Sequence, residues 1–465
     1  MFKLTSIKKA IYFSFAFVSL FTSHVLYAQQ DFTLYNMQAV PQRMYDNPTF
    51  RPTDTTVFIG LPILSSEYFN LSNSGFKYSD LMQPDGDSIK VNIPNMLSKL
   101  GKQNFITINY HTDLISFGFP IKKNYFSFNA TEKVDIRFGY TKDFMNFLWN
   151  GNGGALIGQT LSLAPSFNAT HYREYGFGWS RHINDKLTLG GKIKYLYGEE
   201  NITTTNTSAS LYTDANDFAL TGQANINVNT SGIDNNEFNF NSGKDITNYL
   251  FKKHNGGAGV DLGGTYKLND KITLSASVID LGFITWHDNT TNYQSNESNA
   301  SFTYNGVDVN TFISSKSIQI GNVLQTTLDS IKKTFQINTL HNSYTTMLNA
   351  QVYLSGNYNV TAKSTAGILL YGQFYSTGIN PALTLSFNQQ VGKSFTASIS
   401  YSIYNRSYTN IGLGLAHKLG PVQLYFVSDN LLGFFLPQDA KNIMFHFGIN
   451  IVLVHKRPVP KKAQF

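Results

Sequence analysis

Asn442-Ile443-Met444-Phe445-His446-Phe447-Gly448-Ile449-Asn450-Ile451-Val452-Leu453-Val454 alternates without a break. Ile443, Phe445, Phe447, Ile449, Ile451 and Leu453 fall on one face, and Met444, His446, Gly448, Asn450, Val452 and Val454 on the other. Successive side chains of a strand point to opposite sides, so one side carries an unbroken row of large apolar groups. Soluble proteins seldom leave such a row on an edge strand. A lipid-facing strand of an outer-membrane barrel requires it.

The same alternation recurs upstream, after a phrase used twice. Ile183-Asn184-Asp185-Lys186-Leu187-Thr188-Leu189 and Leu268-Asn269-Asp270-Lys271-Ile272-Thr273-Leu274 each read as strand, tight turn, strand. Beyond the first turn, Leu187, Leu189, Ile193, Tyr195 and Tyr197 share one face and Thr188, Lys192 and Lys194 the other. Thr188, Lys192, Lys194, His446 and Asn450 are therefore the candidate lumen-lining residues. Beyond the second turn, Ile272, Leu274, Ala276 and Val278 alternate with Thr273, Ser275 and Ser277, but Asp280 lands on the apolar face. That requires a bulge, or a strand that has already left the hydrocarbon.

Counting back from the last strand places strands over roughly 112–121, 124–139, 161–169, 172–183, 187–200, 256–268, 271–286, 345–358, 362–375, 380–390, 395–404, 409–419, 421–428 and 442–454. The expected fold is all-β: an antiparallel transmembrane β-barrel of about 14 strands, within about 12 to 16, with short helices in loops or a plug. Turns at Asn184-Asp185, Asn269-Asp270, Asn359, Gly392-Lys393 and Gly420-Pro421 share one rim, expected to be periplasmic. The long segments 201–255, 287–344 and 429–441 share the other, expected to be extracellular. In this count the connection 140–160 falls on the short-turn rim.

The chain ends supply an address. Lys3, Lys8 and Lys9 precede an apolar run from Ala10 to Phe21 and then Tyr27-Ala28, the pattern of a cleaved signal peptide over 1–28. The expected organisation continues with an N-terminal periplasmic or plug segment over 29–111, the barrel over 112–455 and a basic periplasmic tail over 456–465. Mean hydropathy is −0.18, and no later run is long enough for a helical span. Cys is 0, which excludes a lipid-modified anchor and a disulfide framework. Apart from Lys3, Lys8, Lys9, Lys456, Arg457, Lys461 and Lys462, the cations equal the 29 acidic residues. A neutral body gives nucleic acid no electrostatic footing, whereas an outer-membrane location implies lipid and the barrel assembly machinery as partners. Helical periodicity appears at Ile93, Met96, Leu97 and Leu100, and at Ile320, Leu324, Leu328, Ile331 and Phe335.

Within the last strand, His446, Gly448, Ile451 and Leu453 resemble the assembly signal of outer-membrane barrels: a polar residue, a glycine, then hydrophobics at alternate positions. Leu453 is not aromatic and the chain runs on past it. No Gly-x-Ser-x-Gly elbow occurs, and His111, His171, His182, His287 and His446 are scattered over separate strands and loops. Gly153-Gly154-Ala155-Leu156-Ile157-Gly158-Gln159-Thr160 approaches a phosphate-binding loop but has Gln159 where the cation must stand. No catalytic, cofactor-binding or metal site is expected, and a non-enzymatic barrel is the expected class.

Gln30-Asp31-Phe32-Thr33-Leu34-Tyr35-Asn36, Tyr45-Asp46-Asn47-Pro48-Thr49-Phe50, Tyr425-Phe426-Val427-Ser428-Asp429-Asn430-Leu431 and Phe447-Gly448-Ile449-Asn450 resemble segments of the PorP/SprF barrels of type IX secretion and gliding. The whole chain is also similar to uncharacterised outer-membrane barrels akin to PorV and the FadL class. The resemblance implies passage of a small solute across the outer membrane, or membership of a secretion or surface-anchoring complex with secretion or gliding partners. A structural scaffold with a blocked lumen and a barrel-embedded hydrolase are the alternatives.

Overall fold

The structure, a computed structural model, describes residues 31–52, 56–233, 255–295, 300–304 and 335–454. The expected signal peptide, the basic tail and the periodicity from Ile320 to Ile331 lie outside the described residues.

The wall is built from β1 (Thr56–Gly60), β2 (Glu67–Asn73), β3 (Gln103–Ile121), β4 (Asn124–Thr141), β5 (Ser166–His182), β6 (Leu187–Thr204), β7 (Gly256–Lys267), β8 (Ile272–Trp286), β9 (Gln351–Thr361), β10 (Ser364–Tyr375), β11 (Gly378–Val391), β12 (Phe395–Tyr404), β13 (Ser407–Leu419), β14 (Val422–Ser428) and β15 (Asn442–Val454). Each pairs antiparallel with its neighbours. Closure comes from β1 and β2, which together occupy one position between β15 and β3: β1 aligns Thr56 with Val454, and β2 aligns Tyr68 with both His446 and His111. With that shared position the wall is a closed antiparallel barrel of 14 strands.

Side-chain alternation keeps the wall in one register. On β6, Ile193 is 66% exposed on the outside while Lys192 and Lys194 are buried inside; on β15 the odd positions face out and His446 and Asn450 are buried inside. A β-bulge resolves Asp280. Val260 pairs with Leu281 but Leu262 with Val278, and Asp280 has a φ of +59°, so its carboxylate turns into the lumen.

Two differences from the sequence reading cancel in the strand count. The strands expected at 161–169 and 172–183 are the single strand β5, which is continuous there: the bulge lies opposite it on β6, where His171 pairs with Glu200 and Tyr172 with Gly198, leaving Glu199 as the extra residue. The wall position shared by β1 and β2 was missing. With β5 whole, the connection after β4 belongs to the long-loop rim. The wall also begins at Thr56 rather than 112, so part of the 29–111 segment is wall.

Both copies of the repeated phrase form the same turn. Asn184 Oδ1 accepts the backbone N–H groups of Lys186 and Leu187 at 2.9 Å, and Asn269 Oδ1 those of Lys271 and Ile272 at 2.9 Å. The side chain replaces a backbone turn acceptor. On the opposite rim lie α2 (Tyr78–Leu81), α3 (Ile93–Lys99), α4 (Lys142–Asn150) and α5 (Leu431–Phe435), with a small sheet of Thr160–Ser162, Ser208–Thr213, Leu220–Asn225 and Ala300–Tyr304. The helix expected around Ile93 is α3, and its Met96 and Leu97 pack with Leu100 and Tyr140 at the rim. No helix among the described residues is long and apolar enough to cross a membrane.

Candidate functional site

Residues 31–50 enter the barrel and stay there. They form α1 (Phe32–Tyr35) and a 3-10 turn over Pro41–Tyr45, and nearly every side chain is buried against the wall. Elements this short bury few residues of their own, so docking rather than propensity holds them. Phe32 meets Tyr371 and Tyr404 edge-to-face at 5.3 and 5.2 Å, and Tyr35 stacks on Tyr353 at 5.2 Å. Leu34, Met37 and Val40 pack on Ala416, Tyr425 and Val427. The wall makes room with glycine: a Cβ on Gly412 would strike Thr33, and one on Gly414 would strike Met37 and Thr33.

Polar groups then fix the plug. Asp429 accepts the backbone N–H of Phe32 at 2.7 Å and of Thr33 at 2.8 Å. Gln42 and Asn450 exchange two amide hydrogen bonds, at 2.8 and 2.9 Å. His446 Nδ1 lies 2.7 Å from Asp31 Oδ2. Burial, with Asp31 nearby, pushes the Asp429 carboxyl up to about 7. Burial also raises Asp46 and lowers Arg43 to about 10. These groups are strained toward neutrality wherever the plug removes them from water.

Above the plug lies a cavity of ≈ 180 Å³. Asp31, Tyr45 and Asp46 form its floor, and Lys133, Asp135, Arg137, Glu174, Lys192 and Lys194 line its wall. The charges compensate one another. Lys194 Nζ lies 2.8 Å from Asp261, 2.5 Å from Asp280 and 3.3 Å from Glu174, while Lys133 reaches Glu174 at 2.8 Å. Lys192 sits over the Tyr45 ring at 4.5 Å. Near the mouth, the Arg137 guanidinium is 3.8 Å from the ring centroids of both Phe105 and Tyr375. Such a lumen is polar and close to neutral, with no free cationic surface at Lys192 and Lys194.

The predicted residues thus separate. Lys192, Lys194 and His446 border the cavity, Asn450 holds the plug, and Thr188 accepts or donates to His182 Nδ1 at 2.7 Å nearer the short-turn rim. Of the assembly-signal candidates, Ile451 and Leu453 face outward, and Gly448 is where the Ser65 carbonyl presses on the wall between β1 and β2. The glycine-rich segment 153–160 forms a 3-10 turn followed by a strand rather than a helix, which is not phosphate-loop architecture. Sequence reasoning missed Asp429, Gln42, Asp31, Ser66, Asp261 and Asp280 as site members. Only Asp280 left a signal, as a charge on an apolar face.

His446 joins one further arrangement. Its Nε2 is 2.8 Å from Ser66 Oγ, completing a Ser66–His446–Asp31 chain in the order of a nucleophilic triad. Ser66 and His446 are only 4% and 2% exposed, and the Tyr425 hydroxyl shares Nε2 at 3.1 Å.

Solved barrels follow a similar course at very low identity. The toluene transporter TbuX of Ralstonia pickettii is 10% identical, with a TM-score of 0.39 over 90% of this chain and 94% of its own. A Pseudomonas aeruginosa FadL homologue is 9% identical, with a TM-score of 0.44 over 93% and 100%. The translocator domain of the Neisseria meningitidis autotransporter NalP is 8% identical, with a TM-score of 0.32 over 90% and 95%. No curated protein matches the sequence. The family of unknown function DUF5723 matches residues 48–429, from Pro48 in the plug to Asp429 on the wall, and the chain belongs to that family.

Proposed function

We propose that the protein resides in the outer membrane and passes a small polar solute, with residues 31–50 as the gate. The observation that carries this reading is the neutral polar cavity whose floor is the plug itself. A solute that exchanges hydrogen bonds with Asp135, Arg137 and Glu174 keeps its polar groups satisfied there, whereas a hydrocarbon strands those of the wall. Below the plug the lumen is polar again: Asn357, Ser386 and Asn388, with Asn36 facing them from the plug, carry buried polar atoms that have no protein partner. Between the two regions stand Phe32, Tyr35, Tyr353 and Tyr371, so passage requires the plug to move. Among the described residues the plug is held by noncovalent contacts, namely hydrogen bonds, packing, the His446–Asp31 pair and Lys192 over Tyr45, which allows it. Liposome swelling with sugars and amino acids of graded size is the test, run on the protein and on an Asp429→Ala variant that loosens the plug. Swelling that rises in the variant supports the gate. Silence from both, with stoichiometric co-purification of secretion or gliding components, would instead support a blocked scaffold.

The Ser66–His446–Asp31 chain favours a second reading, a barrel-embedded hydrolase acting on a small ester in the cavity. Labelling by a fluorophosphonate probe that disappears in Ser66→Ala supports it. Equal labelling of both proteins, or none of either, sinks it.

A further inference from the structure

The connection from β14 to β15 carries Leu431-Leu432-Gly433-Phe434-Phe435-Leu436 between the polar residues Asp429-Asn430 and Pro437-Gln438-Asp439. A hairpin needs no such apolar run. Its backbone is fixed hard against the wall. Asn430 caps α5 by accepting the Gly433 N–H at 3.2 Å and donates to the Asn442 carbonyl at 3.0 Å. Gly433 is buried so tightly that a Cβ would strike that same carbonyl. The side chains nevertheless point away from the protein: Leu432, Phe434, Phe435 and Leu436 are all exposed, Phe435 by 68%.

Their direction identifies what covers them. Phe434 lies edge-to-face on Phe426 at 6.2 Å, and Phe426 faces outward opposite Phe447. Phe447 stacks on Phe445 at 6.2 Å, and Phe445 on Phe69 at 5.2 Å. These rings form one aromatic row around the outside of β2, β14 and β15 near the long-loop rim, the position of an interfacial girdle. α5 extends that row beyond the strand ends. We infer that α5 is an interfacial anchor, seating Leu432, Phe434, Phe435 and Leu436 among the acyl chains of the outer leaflet at the depth of the girdle. This rests on the transmembrane reading of the barrel.

The chain has no cysteine, so single labels are clean. Phe435→Cys carries an environment-sensitive fluorophore in phosphatidylcholine vesicles containing lipid brominated near the headgroup or near the chain end. Ile193→Cys, on the lipid-facing wall, and Asp217→Cys, in an exposed rim turn, are the references. The Phe435 label is expected to be quenched several-fold more than Asp217, and most by the bromine nearer the headgroup. Quenching of Ile193 without Phe435 would overturn the anchor alone, as would a Phe435 label shielded only in the presence of a co-purified protein. Loss of quenching at Ile193 as well would overturn the membrane reading itself.

Discussion

Plug docking should weaken as pH rises, because docking buries a carboxylate. Asp429 titrates at about 7 with the plug seated, against about 3.9 for a solvated aspartate. A carboxyl with a raised pKa favours the docked state most when protonated. That contribution is therefore full below about pH 4 and is lost as pH rises through about 7. The two values make undocking about 1000-fold easier, or about 4 kcal/mol, at high pH than at low pH, and roughly 100-fold easier between about pH 5 and about pH 8. Asp46, also raised by burial, adds in the same direction. Met37, fully buried between plug and wall, is the reporter: Met37→Cys reacts with maleimide only when the plug lifts. Rates corrected by Asp217→Cys for the intrinsic thiolate fraction should climb steeply across that range. Asp429→Asn removes the titration but leaves the Phe32 or Thr33 N–H facing an amide NH₂, a pH-independent cost of about 1–3 kcal/mol. The variant should therefore label faster at about pH 5 and show a flatter slope. An unchanged slope in Asp429→Asn, or a flat profile in the parent, would refute the reasoning.

Three further outcomes follow from the packing. Gly414→Val places side-chain atoms where Met37 and Thr33 stand and should loosen the plug by about 1–3 kcal/mol, read as faster proteolysis near residue 37 with the barrel intact. Gly448→Ala collides with the Ser65 backbone where β1 gives way to β2; it should reduce the folded, heat-modifiable band on electrophoresis, whereas Gly420→Ala, at a turn, should lower the yield less. Lys194→Met leaves Asp261, Asp280 and Glu174 without their shared cation and should cost about 3–5 kcal/mol, a lower urea midpoint that Lys194→Met with Asp261→Asn partly restores.

The parts of the wall that were legible are those where one local rule acts alone. β6 and β15 alternate cleanly because one face meets lipid and the other the lumen, and Asn184 and Asn269 announce their turns because an asparagine side chain closes them locally. β5 reads as two strands because Asn168, Thr170, His171, Arg173 and Glu174 put polar groups on both faces of its middle, so no apolar face marks it there although its register is continuous. The wall position of β1 and β2 was invisible for a related reason. Each is short, and between them Ser65 and Ser66 turn inward while Ile63 adopts a φ of +65°, so no run is long enough to show a period. The charge cluster was half legible: Lys192 and Lys194 declared a polar face, but the carboxylates that neutralise them come from β5, β7 and β8.

The plug shows a different kind of limit. Asp31 through Phe50 has no period because its contacts are dictated by the wall rather than by its own backbone geometry. Its counterparts on the wall, from Tyr425 to Asn430 and from His446 to Asn450, show the strand period of β14 and β15, but that period does not say that their inward groups hold a plug. The structure assembles plug and wall into one interface: Asp31 meets His446, Phe32 and Thr33 meet Asp429, and Gln42 meets Asn450. Strand alternation tolerates any apolar residue facing out and any polar residue facing in, so most of the wall can change without loss. A buried hydrogen bond between two particular groups tolerates far less, since altering one partner strands the other. The paired contacts between plug and wall are therefore the part of this barrel least open to single substitutions, and the part that strand alternation alone cannot reveal.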